Sequence, residues 1–186
     1  MNNNIGNVSA PHLETFYKID YLRNSFDREP KQVADGVFIE LLMRQPQVAV
    51  DIDRVRRGES EAKSYLPSVI WGGSFEGRER RDSNVVSSGL FCSDIDHISD
   101  DPEGARQYYA NHFGGREDEL GIVFAHVSSS GTGLHVVALC QEGCNSIAEC
   151  QARLAALTQS VYDPVCKNMG RIFYLSSYKD IIYKDL

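Results

Sequence analysis

The chain has 186 residues, a length that fits one domain or one core divided into two lobes. Hydrophobic residues make up 42% and charged residues 24%, as in ordinary soluble globular proteins. The 19 basic and 26 acidic residues give a formal charge of −7, which excludes a generic polycationic coat for nucleic acid. It does not exclude an enzyme that holds nucleic acid locally and binds metal ions through carboxylates.

The N-terminal third of the chain predicts mainly helical structure. Residues 1–10 are rich in asparagine and are expected to fray. Residues 11–26 mix apolar and charged side chains, as in a helix or a mixed structure. Residues 33–44 predict a short helix that is broken at Pro46, and residues 48–64 predict a polar surface helix.

After Pro67 the chain alternates between apolar strands and helices. The segments that predict strands are 68–71, 85–96, 121–127, 134–140 and 171–175. Residues 102–113 predict a helix with Pro102 in its first turn, and residues 146–161 predict an amphipathic helix. This order favours an α+β or α/β sheet with helices mainly on one side.

The sequence predicts neither an export signal nor a membrane span. No apolar run approaches the roughly 20 residues that a spanning helix needs, and the N-terminus lacks the basic and apolar regions of a signal peptide. We therefore expect a cytoplasmic protein whose five cysteines are reduced. Cys140, Cys144 and Cys150 are close in sequence, but their spacing matches no common zinc pattern, and free cysteines often pack as small hydrophobic residues.

Two aspartates form the first candidate site. Asp94 and Asp96 lie at alternate positions of a predicted strand, so their side chains point to the same face. Their mutual repulsion would be relieved by a divalent cation such as Mg²⁺ or Mn²⁺, which prefers oxygen ligands. The alternative is that the strand ends here and that both carboxylates are solvated turn residues.

A loop rich in serine and glycine forms the second candidate site. It spans residues 128–133 between two predicted strands and leads into His135. Hydroxyls and backbone N–H groups of such a loop can surround a phosphate, although the lysine of a P-loop is missing. Histidine on an apolar strand is also common as a simple packing residue.

The third candidate site follows the last predicted helix. Asp163 precedes a proline, so it is either a residue that ends the helix or a third carboxylate. Lys167 and Arg171 follow it and could pair with phosphates.

The order of these segments resembles the catalytic core of the archaeo-eukaryotic primase superfamily, the primase-polymerases. That pattern has a DxD pair, a Ser/Gly loop leading into a histidine, and a later single acidic residue. The resemblance is closest to the bacterial and mobile-element branch fused to helicase or VirE-like proteins, and it covers roughly residues 65–180. The supporting segments are Tyr65-Leu66-Pro67, Gly72-Gly73-Ser74-Phe75, Ser88-Gly89-Leu90, Asp94-Ile95-Asp96, Ser128 to His135, and Asp163 followed by Asn168 and Arg171 to Leu175.

The resemblance implies an α+β archaeo-eukaryotic primase fold. Residues 1–186 would form a single catalytic domain, in which residues 65–186 supply an RRM-like β-sheet lobe with helices on one face. Residues 1–64 would supply a smaller N-terminal α/β lobe. The chain is then expected to be the catalytic part of a longer protein, with a helicase as a domain or partner.

The resemblance also implies an activity and the residues that perform it. The chain would be a DNA primase/polymerase that joins nucleoside triphosphates on a single-stranded DNA template. Asp94, Asp96 and Asp163 would bind two Mg²⁺ or Mn²⁺ ions, which activate the attacking 3′-hydroxyl and neutralise charge at the α-phosphate. The residues that would bind the incoming nucleotide are Ser130, Gly131, Gly133, His135, Lys167 and Arg171.

Clustered arginines are the candidate nucleic-acid contacts. They are Arg54, Arg56, Arg57, Arg78, Arg80 and Arg81. They would neutralise phosphates of the template, while Trp71 and Phe75 could stack on bases. The alternative is solvated surface charge balanced by neighbouring acidic residues, with Trp71 in the core.

Two other functions compete with this prediction. One is a catalytically silent RRM-like module that binds nucleotide or single-stranded nucleic acid without synthesis. The other is a metal-dependent nuclease or nickase, which the sequence favours least because no paired HxH motif occurs.

Overall fold

Ten strands and five α-helices are formed by the residues that the computed structural model describes, which are 17–33, 36–77 and 81–186. The strands are β1 (Asp20–Leu22), β2 (Lys31–Gln32), β3 (Ser68–Ile70), β4 (Gly73–Phe75), β5 (Val85–Ser87), β6 (Leu90–Ile95), β7 (Ile122–Val127), β8 (Leu134–Leu139), β9 (Phe173–Tyr174) and β10 (Ile181–Lys184). The helices are α1 (Gly36–Met43), α2 (Pro46–Arg56), α3 (Pro102–His112), α4 (Glu117–Leu120) and α5 (Ile147–Thr158). Short 3₁₀ turns occupy 60–65, 82–84 and 178–180. The α+β class is confirmed.

The central sheet has the strand order β10-β7-β8-β6, and all its pairings are antiparallel. Its register places His135 of β8 opposite Asp94 of β6 on one side and opposite His126 of β7 on the other. Since facing residues of paired strands share a face, these three polar side chains are neighbours by construction.

The helices α3 and α5 cover one face of this sheet. Phe91 and Ile95 of β6 pack there with Tyr109 of α3 and Leu154 of α5 in one apolar cluster. Both helices have regular N-caps, because Asp101 accepts a hydrogen bond from Gly104 N at 2.7 Å and Ser146 accepts one from Glu149 N at 3.2 Å. The predicted helices at 102–113 and 146–161 are therefore confirmed, with slightly earlier ends.

A smaller sheet with the order β2-β1-β3-β9 packs toward the opposite face. Trp71, which follows β3, is fully buried, and its ring centroid lies 5.5 Å from that of Phe124 of β7. Asp94, His126 and His135 point to this same face because they alternate with the side chains that face α3 and α5. The space between the two sheets is therefore where the candidate site forms.

The smaller sheet combines strands from both predicted parts of the chain. β1 and β2 precede residue 65, whereas β3 and β9 follow it. The strand β1 lies in the segment 11–26, for which helix or mixed structure was predicted and of which residues 11–16 lie outside the described part.

Several boundaries differ from the sequence prediction for local physical reasons. The predicted strand 85–96 is two strands, β5 and β6, because the chain turns at Gly89 with φ +79°. Pro46 separates two helices, but it also starts α2 at its first turn. Within the described ranges no helix combines the length and apolarity required to cross a bilayer.

Candidate functional site

A pocket of about 480 Å³ opens between β6 and β8 of the central sheet and the segment that contains β9. Its polar lining residues are Lys63, Asp94, His135, Asn168, Arg171 and Tyr174. Three of them, Asp94, His135 and Arg171, were predicted as site residues. The structure therefore brings together parts of all three predicted segments.

Asp94, Asp163 and Cys166 converge beside this pocket. The Sγ atom of Cys166 lies 3.4 Å from Asp94 Oδ2 and also 3.4 Å from Asp163 Oδ2. The backbone fixes this meeting, since Asp163 N donates to the carbonyl of Asp94 at 2.8 Å and Cys166 N donates to that of Asp163 at 3.2 Å. One ligand atom from each of the three residues lies within 4.8 Å of the others, which is close enough for a single cation.

The other oxygen of Asp94 has a different neighbour. Asp94 Oδ1 lies 3.4 Å from His135 Nε2, yet it is buried without a hydrogen-bond partner. Burial by itself raises the pKa of this carboxyl, but the charge of His135, together with the hydrogen bond from Cys166 and the charge of Lys63, lowers the pKa to about 2. Asp94 is therefore ionised at neutral pH and has a free acceptor oxygen.

His135 is held from behind by a second histidine. His126 is fully buried, and its Nε2 lies 3.3 Å from His135 Nδ1, while its own Nδ1 lies 2.9 Å from the carbonyl of Val127. A carbonyl only accepts, so His126 donates from Nδ1. Burial, followed by the charge of His135, lowers the pKa of His126 to about 3, so its Nε2 is an acceptor. His135 must then donate from Nδ1 and present Nε2 to Asp94.

Asp96 lies just past the end of β6 and stays outside the group formed by Asp94, Asp163 and Cys166. Burial, and then the charge of Asp94, raise its pKa, so the two carboxylates are close enough to repel each other. Its Oδ1 also lies beside Gly133, where an added Cβ would be 3.3 Å away.

The Ser/Gly loop forms a chain of hydroxyls rather than a wall of the pocket. Ser130 Oγ is 3.0 Å from Ser128 Oγ and 3.0 Å from Thr132 Oγ1, and Ser130 is exposed. Gly131 turns the loop with φ +86°. Ser130, Gly131 and Gly133 are not among the pocket's lining residues. Their contact with a triphosphate stays a prediction.

A second pocket of about 450 Å³ adjoins the first, and both are lined by Asn168 and Gly170. Lys167 lines this second pocket, as do Cys140, Cys144 and Cys150. These three cysteines are free thiols, and they do not form a group with metal-ligand spacing among the residues that the structure describes.

The arginines of α2 have acidic partners. Arg54 pairs with Asp51 at 3.0 Å and with Glu59 at 2.9 Å. Arg56 pairs with the buried Asp180 at 3.1 Å. These ion pairs indicate that Arg54 and Arg56 stabilise the fold, and their contact with nucleic acid stays a prediction.

The remaining predicted contacts are less constrained. Arg57 is the most exposed arginine of its cluster, with 68% of its side chain accessible. Arg78 and Arg80 lie outside the described residues, and Arg81 is described with an interaction of its own. Trp71 belongs to the core, while Phe75 is half-buried and donates its N–H to Asp20 at 2.7 Å.

Three residues of the site were missed by the sequence analysis. Cys166 could have been found, because it lies three residues after Asp163 in a turn. Lys63 lies in the polar segment before β3, and nothing in the sequence distinguishes it there from an ordinary surface lysine. His126 lies within a wholly buried strand, and its contact with His135 depends on the register of β7 against β8.

Comparison with known proteins identifies a family. The sequence model described as BT4734-like, N-terminal domain, matches residues 61–183, which is more than half of the chain. The chain therefore belongs to this family. The matched range contains Lys63, Asp94, Asp163 and Cys166. No curated protein and no solved structure matches the chain.

Proposed function

We propose that this chain is a metal-dependent nucleotidyltransferase of the primase-polymerase type, a DNA primase/polymerase that extends strands on a single-stranded DNA template. One observation carries the proposal. Asp94, Asp163, His135 and Arg171 come from three separate segments and meet at or beside one pocket. Two carboxylates and two cationic or hydrogen-bonding groups around a cavity are the groups that phosphoryl transfer requires.

The donor set fits a divalent cation. Asp94 is ionised and has a buried oxygen without a hydrogen-bond partner. The carboxylates of Asp94 and Asp163 both contact the thiol of Cys166. Asp96, which is repelled by Asp94, is the further carboxylate in this proposal. When bound, Mg²⁺ or Mn²⁺ would lower the pKa of a 3′-hydroxyl and neutralise charge at the α-phosphate.

The pocket's own side chains would position the triphosphate. Lys63 and Arg171 both line the cavity with positive charge, and His135 Nε2 lies 3.4 Å from Asp94 Oδ1. A volume of about 480 Å³ lies within the range of small-molecule sites, so one nucleotide is a suitable occupant. Catalysis of this kind depends on positioning and charge stabilisation.

The architecture supports the same proposal. An antiparallel sheet that has α3 and α5 on one face and polar site residues on the other agrees with the RRM-like lobe of a primase fold. The proposed partners are single-stranded DNA, nucleoside triphosphates and a helicase domain or protein. Arg57, which is largely exposed, is a suitable phosphate contact for the template.

The test is a single reaction with three readable outcomes. The chain is incubated with end-labelled single-stranded DNA, all nucleotides and Mn²⁺ or Mg²⁺, and the products are separated by size. Lengthened strands support the proposal. A mobility shift without lengthening supports a silent binding module, and shortened strands indicate a nuclease.

The control variants separate catalysis from folding. We expect Asp94→Asn and Asp163→Asn to abolish lengthening while the circular-dichroism spectrum is unchanged. Asp100→Asn removes an exposed carboxylate from the loop after β6 and should leave lengthening unchanged. Products that survive in the Asp94→Asn/Asp163→Asn double variant would exclude the proposed mechanism.

A further inference from the structure

Cys166 occupies a position that is unusual for a buried thiol. It is 1% exposed, and its sulfur lies at equal distances of 3.4 Å from two carboxylate oxygens on Asp94 and Asp163. A thiol has one hydrogen and can satisfy only one of these oxygens at a time. The arrangement therefore leaves negative charge facing sulfur, which a cation would resolve.

The separations match those around one tetrahedral ion. An ion with a sulfur ligand at about 2.3 Å and oxygen ligands at about 2.0 Å separates sulfur from oxygen by about 3.5 Å. Both S···O distances here are 3.4 Å, and all three ligand atoms lie within 4.8 Å. An octahedral Mg²⁺ site is instead built from oxygen ligands alone and keeps several waters.

The second oxygen of Asp94 gives further support for a cation here. Asp94 Oδ1 is buried without a hydrogen-bond partner, although the His135 side chain, which is only 8% exposed, places its Nε2 3.4 Å away. A buried carboxylate oxygen that the protein leaves unpaired is costly unless a positive charge lies near it.

We propose that Asp94, Asp163 and Cys166 form a mixed oxygen and sulfur site that selects a thiophilic divalent ion of the Zn²⁺ and Co²⁺ class over Mg²⁺. As the metal–sulfur bond forms, the thiol proton leaves to solvent, and no redox change occurs. The inference rests on the proposed function for the role of the two aspartates, but ion binding itself requires no nucleotide. It assigns Cys166 as the ligand that sets the ion preference of the site.

Cobalt provides a direct readout of this ligand. The full chain, with Cys140→Ser and Cys144→Ser to remove the more accessible thiols, is titrated with Co²⁺. We expect a near-ultraviolet thiolate-to-cobalt charge-transfer band that Zn²⁺ removes at equimolar amounts and that a large excess of Mg²⁺ does not remove. Cys166→Ser should abolish the band and weaken Zn²⁺ binding by roughly tenfold or more.

Two further variants keep the test decisive. Cys92→Ala removes a buried thiol that is a neighbour of Cys166 and should retain the band. Asp163→Asn changes a half-buried carboxylate and should weaken the band even if Cys166→Ser fails to fold. A band that persists in Cys166→Ser, that is absent from the parent chain, or that Mg²⁺ removes would overturn the inference.

The failure of this inference differs from failure of the proposed function. If strands are extended with Mg²⁺, if Cys166→Ser does not change that extension, and if no cobalt band forms, the polymerase function is supported and Cys166 is excluded as a metal ligand. If a cobalt band forms and requires Cys166, but no ion supports strand extension, the metal site is supported and the polymerase function is excluded.

Discussion

The imidazoles of His126 and His135 meet nitrogen to nitrogen at 3.3 Å in a wholly buried part of the central sheet. The carbonyl of Val127 can only accept, so His126 carries its hydrogen on Nδ1. The Nε2 atom of His126 is then the acceptor, and His135 donates to it from Nδ1. His126 thereby orients a side chain that touches Asp94, although it lies outside the pocket lining itself. Such outer partners commonly determine the orientation and tautomer of a site histidine.

We expect His126→Leu to lower strand extension by roughly tenfold, because His135 loses the acceptor for its Nδ1 hydrogen. His126→Gln places a carbonyl oxygen near the same point and should retain most of the activity. Imidazole ¹⁵N NMR provides a readout that a merely structural role would not move. It should find a hydrogen on His135 Nδ1 and none on His126 Nε2. A hydrogen on His126 Nε2 in the parent chain would contradict this proton assignment.

Lys63 should contribute to nucleotide binding. It lines the pocket together with Asp94 and Arg171, and its Nζ lies 5.4 Å from the ring centroid of Tyr174. Lys63→Met should raise the KM for nucleotide roughly tenfold and change kcat less, since it removes one charge that the phosphates meet. Lys63→Arg should restore much of the loss.

The matched control is Lys179→Met, because Lys179 is exposed in the turn before β10 and does not line the pocket. Steady-state kinetics with varied nucleotide should leave this variant within error of the parent chain. Equal effects of the two lysine variants would mean that net charge, rather than the position of Lys63, determines binding.

The strongly periodic elements were predictable because their signals are local. Pro102 and Asp101 mark the start of α3, and Ser146 marks that of α5. The two- and three-residue strands β1, β4 and β9 produce no periodicity. Their pairing joins distant segments, such as Leu22 with Ser68 and Ser68 with Tyr174. Such pairings between distant segments leave no local pattern in the sequence, so sequence periodicity does not predict them.

The residues of the candidate site likewise fall into those that the sequence predicts and those that it does not. Asp94, Asp163 and His135 were predicted because residue type and order carry the signal. Their neighbours His126 and Lys63 were missed because register and packing bring them to the site. The two aspartates of the predicted DxD pair also occupy different positions in the structure, since Asp94 lies within β6 and Asp96 lies beyond its end. Alternation along a strand cannot show where the strand stops.

Gly131 and Gly143 provide a matched test of how tightly the Ser/Gly loop is packed. Their φ angles are +86° and +85°, so alanine is equally strained at both positions. A Cβ at Gly131 would lie 3.1 Å from Arg56 Nε and 3.2 Å from Pro102 Cγ, whereas a Cβ at Gly143 has nothing within 4 Å.

We expect Gly143→Ala to cost about 1–2 kcal/mol of unfolding free energy from backbone strain alone. Gly131→Ala should cost at least about 1 kcal/mol more, because the loop and Arg56 must move apart. Urea denaturation of both variants measures the difference. Equal losses would indicate that Arg56 yields freely and that the loop is not held by it.

The buried carboxylate of Asp180 should make the fold sensitive to acid. It is 2% exposed and accepts hydrogen bonds from Ser176 Oγ at 2.6 Å and Ser177 Oγ at 2.8 Å. Its Oδ2 also lies 3.1 Å from a guanidinium nitrogen of Arg56. Burial raises the pKa of Asp180, but the two hydroxyls and Arg56 outweigh burial, and the net shift is downward.

Because the folded pKa lies below the unfolded value, the ionised form stabilises the fold at every pH above the unfolded carboxyl range of about 4. This stabilisation is lost as the pH falls through the folded pKa. Asp180→Asn should therefore cost about 3 kcal/mol near neutral pH, where Arg56 loses its buried partner, and progressively less as the pH falls below about 4.

Denaturant unfolding of the parent chain and of Asp180→Asn across this pH range measures the effect. Asp185→Asn, an exposed carboxylate at the end of β10, should change stability by less than about 0.5 kcal/mol at either pH. A loss in Asp180→Asn that remains constant from about pH 7 to about pH 2 would mean that the hydrogen bonds of Asp180, rather than its charge, stabilise the fold.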